Sequence, residues 1–166
     1  MTLDQITKTG IDPALAMLPP KMDSKEARCL LLTIGQQESR FEYRRQLVGA
    51  PPRPIGPAKG FWQFELGTEA SRGGVWGVYL HKSSAPFLRM LCGERGVKFS
   101  AREIWNAIES DDVLAAGLAR LLLYTDPFSL SEICAGLGSC TRSDAGVLVN
   151  LTRRHGPVST PMHSIT

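Results

Sequence analysis

Four prolines within seven residues, Pro51, Pro52, Pro54 and Pro57, set the strongest limit on what this chain can fold into. Proline has no backbone N–H and a fixed φ, so neither a helix nor a central strand can cross residues 48 to 59. The segment is expected to be a loop dividing the chain into two helical blocks. Before it, residues 1 to 20 read as one or two short helices ending at Pro19-Pro20. Asp23 then reads as an N-cap with Glu26 three positions on, opening a helix whose stripe is Ala27, Leu30, Leu31, Ile34 and Glu38. After the loop, Gly67 to Gly77 is glycine-rich and broken, and Ser84 with Pro86 starts a helix to about Cys92. Ser100 and Glu103 form a second capping pair, leading through Ile104, Ala107 and Ile108. Asp111 caps the strongest apolar helix, with Leu114, Leu118, Leu121 and Leu122, ending at Asp126-Pro127. Two-residue alternation is nearly absent, so the class is mainly α.

At 166 residues the chain supports one domain with a real core. No apolar run reaches membrane-spanning length, and Met1 to Gln5 lacks the basic start and apolar stretch of a signal peptide. A net charge of +3 favours approach to anionic polymers without selecting one. The basic pairs Arg44-Arg45 and Arg153-Arg154 are too short for a nucleic-acid footprint. Cys29, Cys92, Cys134 and Cys140 have no metal-type spacing and read as reduced structural thiols, Cys29 and Cys92 buried in apolar helices. His81 has no partner at ligand spacing and reads as an ordinary loop histidine; neither metal nor organic cofactor is expected. All twelve aromatic residues lie between Phe41 and Phe128, so the last 38 residues have little to offer a core.

Glu38 stands out because it continues an apolar stripe. Burial there disfavours the charged form, and the negative end of the helix dipole acts in the same direction. A carboxyl that keeps its proton near neutral pH is what a general acid requires. The bland alternative pairs Glu38 with Arg40 or Arg44 on the surface.

Glu38-Ser39-Arg40-Phe41, followed by Gly56-Pro57-Ala58-Lys59-Gly60-Phe61-Trp62-Gln63, resembles the motif pair of lytic transglycosylases and goose-type lysozymes. There a Glu-Ser-x-Phe helix end precedes Gly-Ala-x-Gly-Leu-Met-Gln. The resemblance spans residues 24 to 126 and is nearest a phage-encoded branch of the lysozyme-like superfamily. It implies a mainly α, α+β domain over residues 1–136, a helical bundle with a small sheet-like lobe lining a glycan cleft. It also implies that Glu38 is the catalytic acid, Ser39 its polar neighbour, Gly60 the motif glycine and Gln63 the substrate-contacting amide. Phe61 and Trp62 replace Leu-Met; with Phe64 they are either sugar-facing surface or core. If the segment is extended, Phe61, Gln63 and Glu65 point one way. Glu65 is a second carboxylate or a solvated one, and Tyr124 stands in for the tyrosine of an Ala-Tyr-Asn-Ala-Gly segment that this chain lacks. The implied partner is bacterial peptidoglycan, with other virion proteins or a holin for delivery. The implied location is the phage virion or host cytoplasm, acting at the wall. The alternative is a non-catalytic virion structural or wall-binding protein on the same scaffold.

The branch it resembles ends in an aromatic-rich segment of the type Trp-Arg-Pro-Gly-Lys-Pro-His-Pro. Codons built from the third base of one residue and the first two of the next allow that text from Ala145 onward: Ala145 into Gly146 gives Trp, Gly146 into Val147 gives Arg, Val147 into Leu148 gives Pro. Residues 137–166 therefore read either as a frameshifted, poorly packed tail or as a divergent native one.

Overall fold

The computed structural model describes residues 1–126 and Leu130. Among these residues the protein is mainly helical, with one two-stranded antiparallel sheet. The tail from residue 137, its frame, Cys134, Cys140 and Arg153-Arg154 lie outside the described residues.

Helix α1, Leu3–Ile6, passes through a π-turn at Thr7–Ile11 into α2, Asp12–Met17, and the chain leaves the helix at Leu18, as expected from Pro19-Pro20. Thr2 caps α1, its hydroxyl accepting from the Gln5 N–H while the Gln5 amide oxygen accepts from the Thr2 N–H. Helix α3, Lys25–Ser39, is capped by Ser24 rather than Asp23: the Ser24 hydroxyl accepts from the Ala27 N–H. The Asp23 carboxylate is engaged instead by Arg28, at 2.6 and 2.9 Å. Cys29 is exposed, a correction to its expected burial. It stands two positions before Leu31 and so points to nearly the opposite side of the helix.

The proline-rich segment is not a loop throughout. Strands β1, Arg45–Val48, and β2, Arg53–Lys59, pair with Leu47 opposite Pro54 and Arg45 opposite Lys59, with a register irregularity between them. A two-stranded sheet has an open edge on each strand, where a missing N–H costs nothing. Helix α4, Gly74–Leu80, likewise begins inside the stretch expected to be broken. Its first amides find backbone acceptors in Glu65 and Leu66, at 3.0 and 3.2 Å, so no capping side chain is needed.

Helices α5, Ala85–Glu94, and α6, Ala101–Ala107, begin where their caps suggest, although the Ser84 hydroxyl donates to the Val78 carbonyl and only Ser100 accepts from its helix. Helix α7, Asp112–Thr125, is capped by Asp111 as expected. It is buried far beyond the expected stripe, on all sides from Val113 to Leu121, and packs on α2, α3, α4 and α5. Each fully buried leucine along it, such as Leu114, Leu118 and Leu121, contributes about 1.5–3 kcal/mol. Arg120, within this core, donates from Nε to the Met22 carbonyl at 2.7 Å. That bond joins the second half of α7 to the start of α3, while the first half of α7 meets the segment beyond the end of α3. The two helices therefore run antiparallel. No described helix is long and apolar enough to cross a membrane.

Candidate active site

The buried residues of α3 are Ala27, Leu30 and Leu31, as expected, followed by Gly35 and Ser39, one residue round from the expected Ile34–Glu38 line. Glu38 sits at their margin, half-buried, as does Ile34. The shift follows from Gly35. Arg40 and Phe41 both adopt left-handed backbone, φ 53° and 54°, and fold Phe41 back beneath the last turn of the helix. A Cβ on Gly35 would lie 2.2 Å from the Phe41 ring, so only glycine admits that ring. Left-handed backbone at two non-glycine residues costs about 1–2 kcal/mol each. Burial of Phe41 and its edge-on contacts with Phe61 and Trp62, at 5.5 and 5.9 Å, offset that cost.

Residues 60 to 63 form a tight turn. Lys59 and Phe64 pair through both backbone bonds, at 3.0 and 2.9 Å, and the Gln63 N–H donates to the Gly60 carbonyl at 3.0 Å. Gly60 has φ +71°, and a Cβ there would meet the Ile108 carbonyl at 2.8 Å, so glycine is required on both counts. Gln63 is also left-handed, φ 50°, and its amide nitrogen donates to the Gly60 carbonyl at 2.8 Å. The turn is fastened to α3 at two points. Ser39 Oγ donates to the Phe61 carbonyl at 2.7 Å and accepts from the Phe41 N–H at 3.1 Å; the Trp62 indole donates to the Leu31 carbonyl at 2.9 Å.

The structure thus bonds Ser39, and with it the end of α3 that carries Glu38, to the turn of Gly60, Phe61, Trp62 and Gln63, with corrections to their roles. The segment is a turn, so Phe61 and Gln63 do not alternate with Trp62 and Phe64; all four are buried. Phe61 and Trp62, 1% and 2% exposed, and Phe64 with them, belong to the core and offer no ring face to a sugar. Gln63, 4% exposed, has only an edge available. Tyr124 lies elsewhere. It packs on Phe87 with Lys21 over its ring, beside the start of α3, whereas Glu38 lies about 20 Å along that helix from Lys25.

Glu38 is half-buried. Among the described residues no hydrogen bond or ion pair engages its carboxyl. Arg40 is exposed, and Arg44 pairs bidentately with Asp112 at 3.0 and 2.6 Å. Burial alone pushes the Glu38 carboxyl up to about 7. Glu65 is half-buried and raised for the same reason, and neither carboxylate acts on the other. His81 is exposed, with Nδ1 accepting from the Ser83 N–H. No cluster of three metal-ligating side chains occurs among the described residues.

Two cations take partners that the sequence did not announce. Lys59 is buried, its ammonium 2.9 Å from Glu109, 3.3 Å from Asn106 and 3.8 Å over the Trp105 ring. Arg44 stacks on Phe61 at 4.4 Å. The tandem Asp111-Asp112 held a signal: one carboxylate caps α7, leaving its neighbour free for a distant base.

Comparison of the chain with protein-family models, with curated proteins and with solved structures finds no match.

Proposed function

We propose that this chain cleaves the glycan strands of peptidoglycan, as a lytic transglycosylase or muramidase with Glu38 as general acid. The observation that carries the reading is a half-buried carboxyl, without a partner among the described residues, raised to about 7 at the end of a helix that is bonded to a Gly-Phe-Trp-Gln turn. The mainly helical body with its small two-stranded lobe suits a lysozyme-like arrangement.

In this reading protonated Glu38 donates to the glycosidic oxygen as the bond breaks and positive charge develops on the sugar. The resulting carboxylate then takes a proton from the attacking oxygen. A retaining pair of carboxylates about 5 Å apart would raise one another's affinity for protons, and Glu38 and Glu65 do not. A lone acid favours attack by the sugar's own 6-hydroxyl, leaving an anhydro end, over attack by water. Glu65 then serves as a polar edge of the site. A phage origin, with virion proteins or a holin for delivery, belongs to the same proposal.

The rival reading is a non-catalytic wall-binding or virion structural protein. It draws on the burial of Phe61, Trp62 and Gln63, which leaves few groups to grip a sugar. Clearing of purified peptidoglycan by wild type and by Glu38→Gln separates the two. The proposal expects clearing by wild type and none by the folded variant, with anhydro ends in the mass spectrum of the products. Equal clearing by both removes Glu38 from the chemistry; binding without clearing by either supports the rival.

A further inference from the structure

On one side the Gly60–Gln63 turn is fastened to α3 by Ser39, next to Glu38 in sequence, and by the Trp62 indole. The other side is fastened by Arg44. Its carbonyl accepts from the Gly60 N–H at 2.8 Å, and its guanidinium lies 4.4 Å from the Phe61 ring centroid. The guanidinium is itself fixed by Asp112, the first residue of α7, with Nε to Oδ1 at 3.0 Å and a terminal nitrogen to Oδ2 at 2.6 Å. Phe61 is therefore held on one side by the planar cation and on the other by Ser39 Oγ on its carbonyl, adjacent in sequence to Glu38.

Resting on the reading of Glu38 as the acid of a glycan-cleaving site, we propose that Arg44 is a positioning residue, clamping the turn onto α3 through Phe61 with Asp112 as its anchor. Only arginine performs this task. It makes two bonds to one carboxylate while presenting a flat face to a ring, and lysine does neither. The Arg44 side chain is 39% exposed and that of Asp112 12%, so the pair is partly buried and its two bonds fix the plane of the guanidinium. Its effect lies in the orientation of the turn, where a displacement of about 1 Å costs up to about a hundredfold in rate.

The test uses full-length Arg44→Ala and Arg44→Lys, the second keeping the charge and the aliphatic stem should the first fold poorly. Two measurements are made: steady-state clearing of peptidoglycan, and the Glu38 carboxyl titration followed by carbon-13 NMR with Glu38→Gln for assignment. The expected result is a loss of about tenfold or more in kcat with KM little changed, and only a small part recovered by lysine. In both variants the Glu38 midpoint falls from near 7 toward the ordinary carboxylate range, because a loosened turn admits water. A wild-type midpoint in both folded variants overturns the proposal, whatever the activity. A lowered midpoint in a protein that never clears peptidoglycan upholds the clamp and removes the function assigned above.

Discussion

Replacing Glu38 by glutamine should stabilise the protein above neutral pH and have far less effect in acid. In the unfolded chain the carboxyl titrates at its ordinary 4.5; in the folded protein burial holds it at about 7. Below 4.5 both states carry the proton and the group adds no pH dependence. Between 4.5 and 7 the folded state binds more protons than the unfolded one, so stability falls as pH rises, by up to about 1.4 kcal/mol per pH unit. Above 7 both states are ionised and the cost levels off. The gap between the two values sets an upper limit of about 3 kcal/mol; water reaching a half-buried carboxylate brings the expected figure to about 1–3 kcal/mol. Glutamine carries no charge at any pH and escapes this loss. Urea unfolding of both proteins at half-unit steps from pH 4.5 to 8, at fixed ionic strength, gives the variant-minus-wild-type difference, in which other titrating groups cancel. That difference should climb between pH 4.5 and 7 and then stay flat. A difference constant across the range, or a variant less stable than wild type at pH 8, would refute the claim that burial shifts Glu38.

Two further substitutions test the site's boundaries. Ser39→Ala leaves the Phe61 carbonyl and the Phe41 N–H without their hydroxyl partner and should lower unfolding free energy by about 1–3 kcal/mol in urea. Tyr124→Phe, about 20 Å from Glu38 along α3, should leave peptidoglycan clearing within about twofold of wild type; a tenfold loss would return Tyr124 to the site.

The helices were legible because their signals are local. Ser100, Asp111 and Pro19-Pro20 mark boundaries that depend on the backbone groups beside them, and the structure keeps those boundaries. Asp23 failed as a cap because Arg28, a turn further on, claims its carboxylate, leaving the role to Ser24. The strand through Pro54 was hidden because proline excludes a strand only where a partner needs its N–H. Glu38 was singled out from its place in the stripe, yet past Leu31 the buried line runs through Gly35 and Ser39, set by a ring that folds back from Phe41. Phe61 and Trp62 could not be assigned to core or surface from spacing alone. That choice depends on Leu31, 31 residues before Trp62, whose carbonyl receives the indole.

The hydrogen bonds that fasten residues 60 to 63 end on backbone oxygens, those of Phe61, Leu31, Gly60 and Arg44, while Arg44 anchors its own guanidinium on the Asp112 carboxylate. A carbonyl is present whatever side chain its residue bears. At Leu31 the joint is thus addressed by position along the chain, and the side chain there is free to change so long as the space it fills is kept, whereas Gly60 and Arg44 are held by their other tasks. Ser39, Trp62 and Gln63 carry donors and Gly60 carries the backbone conformation, and these are the letters such rewriting has least freedom to change. An aliphatic pair at positions 61 and 62 would keep the carbonyl that Ser39 grips but lose the indole donor and the ring beneath Arg44, so the joint is spelled in aromatic letters as well.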